Sequence, residues 1–142
     1  MNILDANVVI ALYRPDHIHH AAARRWWDES LSSGEPFSVP DLVWLAFFRL
    51  VTNPRFTHVP ATFDQAWEFA QAVQSQGTYA SYQAHPRTLS EYERIASAAR
   101  VTGNLSTDAY IAAIATTLGA QVVTFDRDFR KFDGVRVVEL AG

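Results

Sequence analysis

The chain has 142 residues, a net charge of −3 and no cysteine. That length fits one domain spanning residues 1–142. The missing thiols exclude disulfides, thiolate metal sites and a cysteine nucleophile, and the slight acidity argues against a nonspecific DNA coater, which would be strongly basic. Nearly half of the residues are apolar, enough for a proper core. The longest apolar run, Leu42 to Phe48, is far below the roughly 20 residues of a membrane span. The N-terminus has no basic region ahead of an apolar one, so a cytoplasmic protein is expected.

In chain order, Met1 to Leu4 reads as a short buried strand and Val8 to Tyr13 as an apolar turn or short helix. Asp16 is a candidate N-cap for a helix from about His17 to Ser32, with Gly34 beyond its end and an apolar stripe through Ala21, Ala22, Trp26 and Leu31. Phe37 to Val39 is a strand candidate. Pro40 and Asp41 open a strongly apolar helix through Val51, ended by Thr52-Asn53-Pro54. Thr62 or Asp64 caps a helix to about Gln76, and Thr78 to Arg87 is ambiguous, with room for a short extended segment. A helical period runs from Thr88 to Arg100, and Gly103-Asn104 marks a turn. Thr107 is a candidate cap for the next helix, with Gly119 as its terminating glycine. Gln121 to Phe125 reads as a buried strand, Asp128 to Phe132 as a helical turn and Val135 to Leu140 as a last strand. Strands alternating with helices predict an α/β fold with a central, mainly parallel sheet covered on both faces.

Three aspartates stand out against this frame. Asp5 follows the first strand, Asp126 follows the Val122–Phe125 strand, and Asp108 opens an apolar helix. Parallel strands gather such side chains at their C-terminal ends, where open α/β sheets build their sites. Asp108 precedes Ile111, Ala115 and Leu118 at helical spacing, which puts a carboxylate on the buried stripe. Each residue alone has a structural reading. Asp5 can cap a helix, Asp108 can serve the helix dipole, and Asp126 and Asp128 can be turn residues. Together they repel one another unless a cation is present, and oxygen ligands suit a hard divalent ion, Mg²⁺ or Mn²⁺. That predicts metal-dependent phosphate chemistry, with Asp5, Asp108 and Asp126 as catalytic metal ligands and Asp128 as a further ligand or water-orienting group. Asn7, Thr124 and Thr107 are placed to hydrogen-bond and orient the carboxylates.

The segments Leu4-Asp5-Ala6-Asn7-Val8, Thr52-Asn53-Pro54-Arg55, Gly103 to Ala113 and Val123 to Phe129, in that order, resemble PIN-domain proteins, and most closely the VapC toxins of bacterial toxin–antitoxin pairs, the mycobacterial ones in particular. The likeness covers essentially the whole chain. It implies a three-layer α/β/α fold, Mg²⁺-dependent endoribonuclease activity on structured RNAs at single-stranded loops, a homodimer and a cognate VapB-type antitoxin. One position departs from the family. A Glu is usual on the helix after the second strand, about five residues before an Arg that matches Arg49, and here that position is Trp44. Asp41, one turn earlier on roughly the same face, either substitutes as a metal ligand or caps the helix after Pro40.

Of the 12 basic residues 11 are Arg, a residue suited to bidentate phosphate contact. Arg14, Arg49, Arg55, Arg87 and Arg127 are candidate RNA contacts, and Tyr79 and Tyr82 candidate stacking partners for unpaired bases. His17, His19 and His20 lack the pattern of a metal motif and read as an exposed helix start. A second class of function is a catalytically silent PIN-like module that binds RNA or protein, motivated by Trp44. A phosphoacceptor receiver needs an acidic pair after the first strand and a lysine beyond a later one; the chain has a single Asp there, and its one lysine, Lys131, follows an Arg-rich turn. A DNA-directed flap nuclease shares the chemistry but is usually larger and more basic.

Overall fold

The computed structural model describes all residues, Met1 to Gly142. Four strands form one wholly parallel sheet in the order β2-β1-β3-β4, with β1 at Asn2–Leu4, β2 at Phe37–Ser38, β3 at Gln121–Thr124 and β4 at Val137–Glu139. Six helices surround it: α1 Ala6–Tyr13, α2 His20–Ser33, α3 Asp41–Val51, α4 Phe63–Gln74, α5 Thr88–Ala98 and α6 Leu105–Thr117. A 3₁₀ turn, Arg127–Lys131, lies between β3 and β4. No helix is long and apolar enough to cross a membrane.

The sheet is parallel because each of its strands is separated from the next by helical or turn structure, which hairpins would not need. β1 and β3 occupy the middle, so both of their faces are covered and their sequences are nearly continuous apolar runs. Ile3, Leu4, Val122 and Val123 are wholly buried, each contributing about 1.5–3 kcal/mol of burial. α1 and α2 pack together as one layer, and α5 and α6 as the other, with α6 resting on β1 and β3. The crossover from β1 leads outward to β2, while the one from β3 leads the opposite way to β4. With right-handed connections, this change of direction opens a crevice at the C-terminal ends of β1 and β3.

Beyond β2 the backbone gains one more parallel bridge, Phe37 to Tyr79. The Phe37 amide donates to the Thr78 carbonyl at 3.1 Å and the Ala80 amide to the Phe37 carbonyl at 2.8 Å. The ambiguous stretch after Gly77 thus supplies a short extended cover for that edge.

Three local readings need correction. α2 begins at His20, and Asp16 does not cap it. The Nδ1 of His17 instead accepts the His19 amide at 3.0 Å, closing a turn that delays the helix. Its buried face is Ala23, Trp27 and Ser30, one residue out of phase with the expected stripe. Trp27 sets that phase by packing edge-on to Phe37, ring centroids 5.0 Å apart. α6 begins at Leu105, two residues before Thr107, so Thr107 lies inside the first turn and caps nothing.

Candidate active site

The crevice holds the acidic residues because the chain turns out of β1 and β3 there. Asp5 is the first residue past β1 and the N-cap of α1; its Oδ1 accepts the Ala6 amide at 2.8 Å. Asp126 lies two residues past β3 and caps the 3₁₀ turn by accepting the Asp128 amide at 2.8 Å. Asp108 enters from the first turn of α6.

Thr124, wholly buried, ties Asp5 to Asp126. Its hydroxyl donates to Asp5 Oδ2 at 2.8 Å, and the same oxygen accepts the Asp126 amide at 3.0 Å and Asn7 Nδ2 at 3.2 Å. Asn7 also donates to Asp5 Oδ2 at 3.3 Å, and its Oδ1 accepts the Phe125 amide at 3.2 Å. The hydroxyl has one proton and two lone pairs, all used. This closed network fixes the angle of Asp5 and the path of the chain from Thr124 to Asp126.

Oxygens of Asp108, Asp126 and Asp128 lie within 4.8 Å of one another. Asp5 stands beside this trio rather than in it. Its carboxyl is raised by burial, against the hydrogen bonds from Thr124 and Ala6 that lower it, with the charge of Asp126 raising it further. Asp108 is pushed up to about 7, first by burial and then by the charges of Asp5, Asp126 and Asp128. Lys131 offsets part of this charge, its Nζ 3.2 Å from Asp128.

Other expected residues fall elsewhere. Asp41 is exposed on the first turn of α3 and is not in the trio; it faces Tyr82, whose hydroxyl is raised by burial and then by the charges of Tyr110 and Asp41. Trp44, at the position where a carboxylate is usual, is buried, its indole directed at the Tyr79 hydroxyl 3.5 Å away. Asp41 therefore does not replace the missing group, and Asp128 is the fourth carboxylate at the crevice. Thr107 is exposed and makes no side-chain hydrogen bond to any of the acids, correcting its expected orienting role. Arg14 donates to the Val51 carbonyl at 3.0 Å, joining the ends of α1 and α3. Arg49, Arg55 and Arg87 are exposed, and Arg127 is exposed next to Asp126. The sequence reading of the histidines as a solvated helix start misses His19, whose ring stacks on Phe125 with centroids 4.5 Å apart. Three imidazoles in four residues were the only signal for it.

The donor set suits a hard cation. Opposed oxygens around Mg²⁺ stand about 4.2 Å apart, so a trio spread over no more than 4.8 Å closes with small side-chain rotations. A carboxyl that is neutral near pH 7 for want of a counter-charge gains one when a dication binds.

Comparison with known proteins gives the same fold and places the chain in a family. The PIN domain family model matches residues 3–135. Ribonuclease VapC31 of Mycobacterium tuberculosis is 40% identical over 96% of this chain and 96% of its own. Among solved structures, VapBC2 from Rickettsia felis, bound to a DNA fragment from its promoter, superposes with a TM-score of 0.73 at 14% identity over 99% of this chain and 98% of that one. VapC20 of M. tuberculosis, described as a sarcin-ricin loop cleaving toxin, gives 0.67 at 18% over 96% and 99%. The chain belongs to the PIN-domain family, among its VapC members.

Proposed function

We propose that this protein is a metal-dependent endoribonuclease, the toxin of a VapBC-type pair acting in the cytoplasm, which hydrolyses RNA phosphodiester bonds and is restrained by a VapB-type antitoxin. The observation that carries the reading is the carboxylate trio of Asp108, Asp126 and Asp128, backed by Asp5, at the β1–β3 crevice of a chain 40% identical to a ribonuclease. Its VapBC structural neighbour supports the antitoxin partner.

Asp108, Asp126 and Asp128, with Asp5 behind them, are the residues to hold Mg²⁺ or Mn²⁺. When bound, the cation supplies positive charge to a scissile phosphate and a more acidic water. The chain does the positioning. Thr124 and Asn7 hold Asp5 at a fixed angle and keep the turn into Asp126 from relaxing. The lone uncharged carboxyl, Asp108, is the natural site for a proton to rest while the crevice is without a counter-charge. Arg127, beside Asp126, offers a guanidinium to the RNA backbone.

A silent binding module is the second reading, and buried Trp44 is what favours it. Incubating total RNA with the protein and Mg²⁺ or Mn²⁺ separates the two. Discrete cleavage products are expected, lost in EDTA and reduced at least a hundredfold in Asp5→Asn and Asp108→Asn. Indistinguishable profiles from wild type and both variants would sink the nuclease.

A further inference from the structure

Two cavities flank the crevice on the α1–α2 side, and they meet at the histidines. The first, of about 260 Å³, lies at the far ends of α1 and α3 and is lined by Arg14, His17, Phe56 and His58 among others. The second, of about 530 Å³, is lined by His19, Phe125, Arg127 and Arg130 and runs directly beside Asp126. The rings of His17 and His19 stand 5.6 Å apart, and His19 stacks on Phe125. From Arg14 to Arg127 the surface is therefore continuous, aromatic through its middle and cationic at both ends.

The charges along this surface are not spent on carboxylates. Arg130 pairs with Glu139 at 2.6 Å, but neither Arg14 nor Arg127 has an ion-pair partner. Arg14 is half-buried, and one of its five N–H groups is committed to the Val51 carbonyl. That bond and its position over the Tyr13 ring, 5.3 Å from the centroid, hold the guanidinium in place with donors left for an anion. Phe56, on the rim, is 64% exposed. Eight residues of α1 rise about 12 Å, so the Arg14 cavity lies more than one nucleotide away from the acids.

We propose that Arg14, His19, Phe125 and Arg127 form a track for single-stranded RNA leading to the acidic crevice, the guanidiniums taking phosphates and the aromatic faces taking bases. This rests on the ribonuclease reading and adds the path by which substrate reaches the acids. A peptide of the antitoxin is the competing occupant. The mixed charge favours a polyanion with flat groups, because a fixed guanidinium at each end brackets an aromatic stretch without any apolar groove between.

The test is fluorescence anisotropy of a 5′-labelled, unstructured 12-nucleotide RNA with the full chain in EDTA, where no cleavage occurs. Arg127→Gln is the principal variant, since an exposed side chain is dispensable for folding. Arg14→Gln and Phe125→Leu extend it, and Arg24→Gln, on the outer side of α2, is the control. Arg127→Gln is expected to weaken binding about tenfold and to lower the slope of log Kd against log salt by about 0.7, the value for one lost phosphate contact on a single strand. The double Arg14/Arg127 variant should lose about twice that slope. Cleavage of total RNA by the wild type, with Kd and slope unchanged in the Arg127 and double variants, would overturn the track while leaving the nuclease standing. Failure of the wild type to cleave any RNA overturns the reading beneath it. Variants that lose a co-expressed antitoxin yet bind the 12-mer normally also overturn the track, in favour of the peptide.

Discussion

At Asp108 three neighbouring carboxylates act on one that is already half out of water, and its pKa near 7 follows. The folded chain therefore holds a proton there that the unfolded chain, with an ordinary value of 3.8, has released. Folding stability from this group is present below about pH 4 and is lost as pH rises towards 7. Metal-free protein is expected to show a melting temperature that falls between pH 5 and pH 8, a slope that Asp108→Asn flattens. Adding Mn²⁺ at pH 8 should raise the wild type by several degrees and the variant much less. A wild-type melting temperature independent of pH and of Mn²⁺ would contradict the cluster's energetics. The sequence made Asp5, Asp108 and Asp126 legible as a set, because a strand end and a buried helix stripe are the two places where a carboxylate is conspicuous. Thr124 and Asn7 were legible for the same reason, being one or two residues from those ends. Choosing between Asp41 and Asp128 was not possible in sequence, since it depends on how deep each sits. Asp128 is drawn in by the turn that Asp126 caps, while Asp41 is left at the rim beside Tyr82.

Among the elements, α4 was the most readable. Thr62 accepts the Gln65 amide at 3.1 Å and the Gln65 side chain accepts the Thr62 amide at 2.9 Å, a reciprocal cap visible as Thr-x-x-Gln. Thr62→Ala is expected to cost about 1 kcal/mol in urea unfolding while leaving RNA cleavage intact. A loss of cleavage at full stability would show that α4 belongs to the site. α2 was read at its end but not its beginning. Its C-terminus is set by Gly34 at φ 75°, a conformation glycine adopts at little cost, and that signal is local. Its start is set by a histidine–backbone bond and by Trp27 against Phe37, which are tertiary and have no sequence mark. α6 shows the same limit: Thr107 is a good capping residue, but the helix begins earlier, at Leu105.

Over the whole molecule, one face is conspicuously apolar. Phe48, Phe63 and Trp67 stack with centroids 5.6 to 6.1 Å apart across α3 and α4, and Phe63 and Trp67 are 59% and 42% exposed, with Leu45 at 69%. A contiguous patch of this kind marks an interaction surface, in keeping with a homodimer. Sedimentation at tens of micromolar is expected to find a dimer for the wild type and a monomer for the Phe63→Ser/Trp67→Ser variant. An unchanged dimer in that variant would move the contact elsewhere. The two rims of the sheet differ in a way that bears on how copies of this chain meet when crowded. The Thr78–Ala80 stretch already satisfies the outer backbone groups of Phe37, so no foreign strand finds a template on that side. Only the opposite rim, at β4, is left to recruit one, and there Arg136 and Glu139 stand exposed. Accidental polymerisation is thereby confined to a single direction, guarded by a charge of each sign.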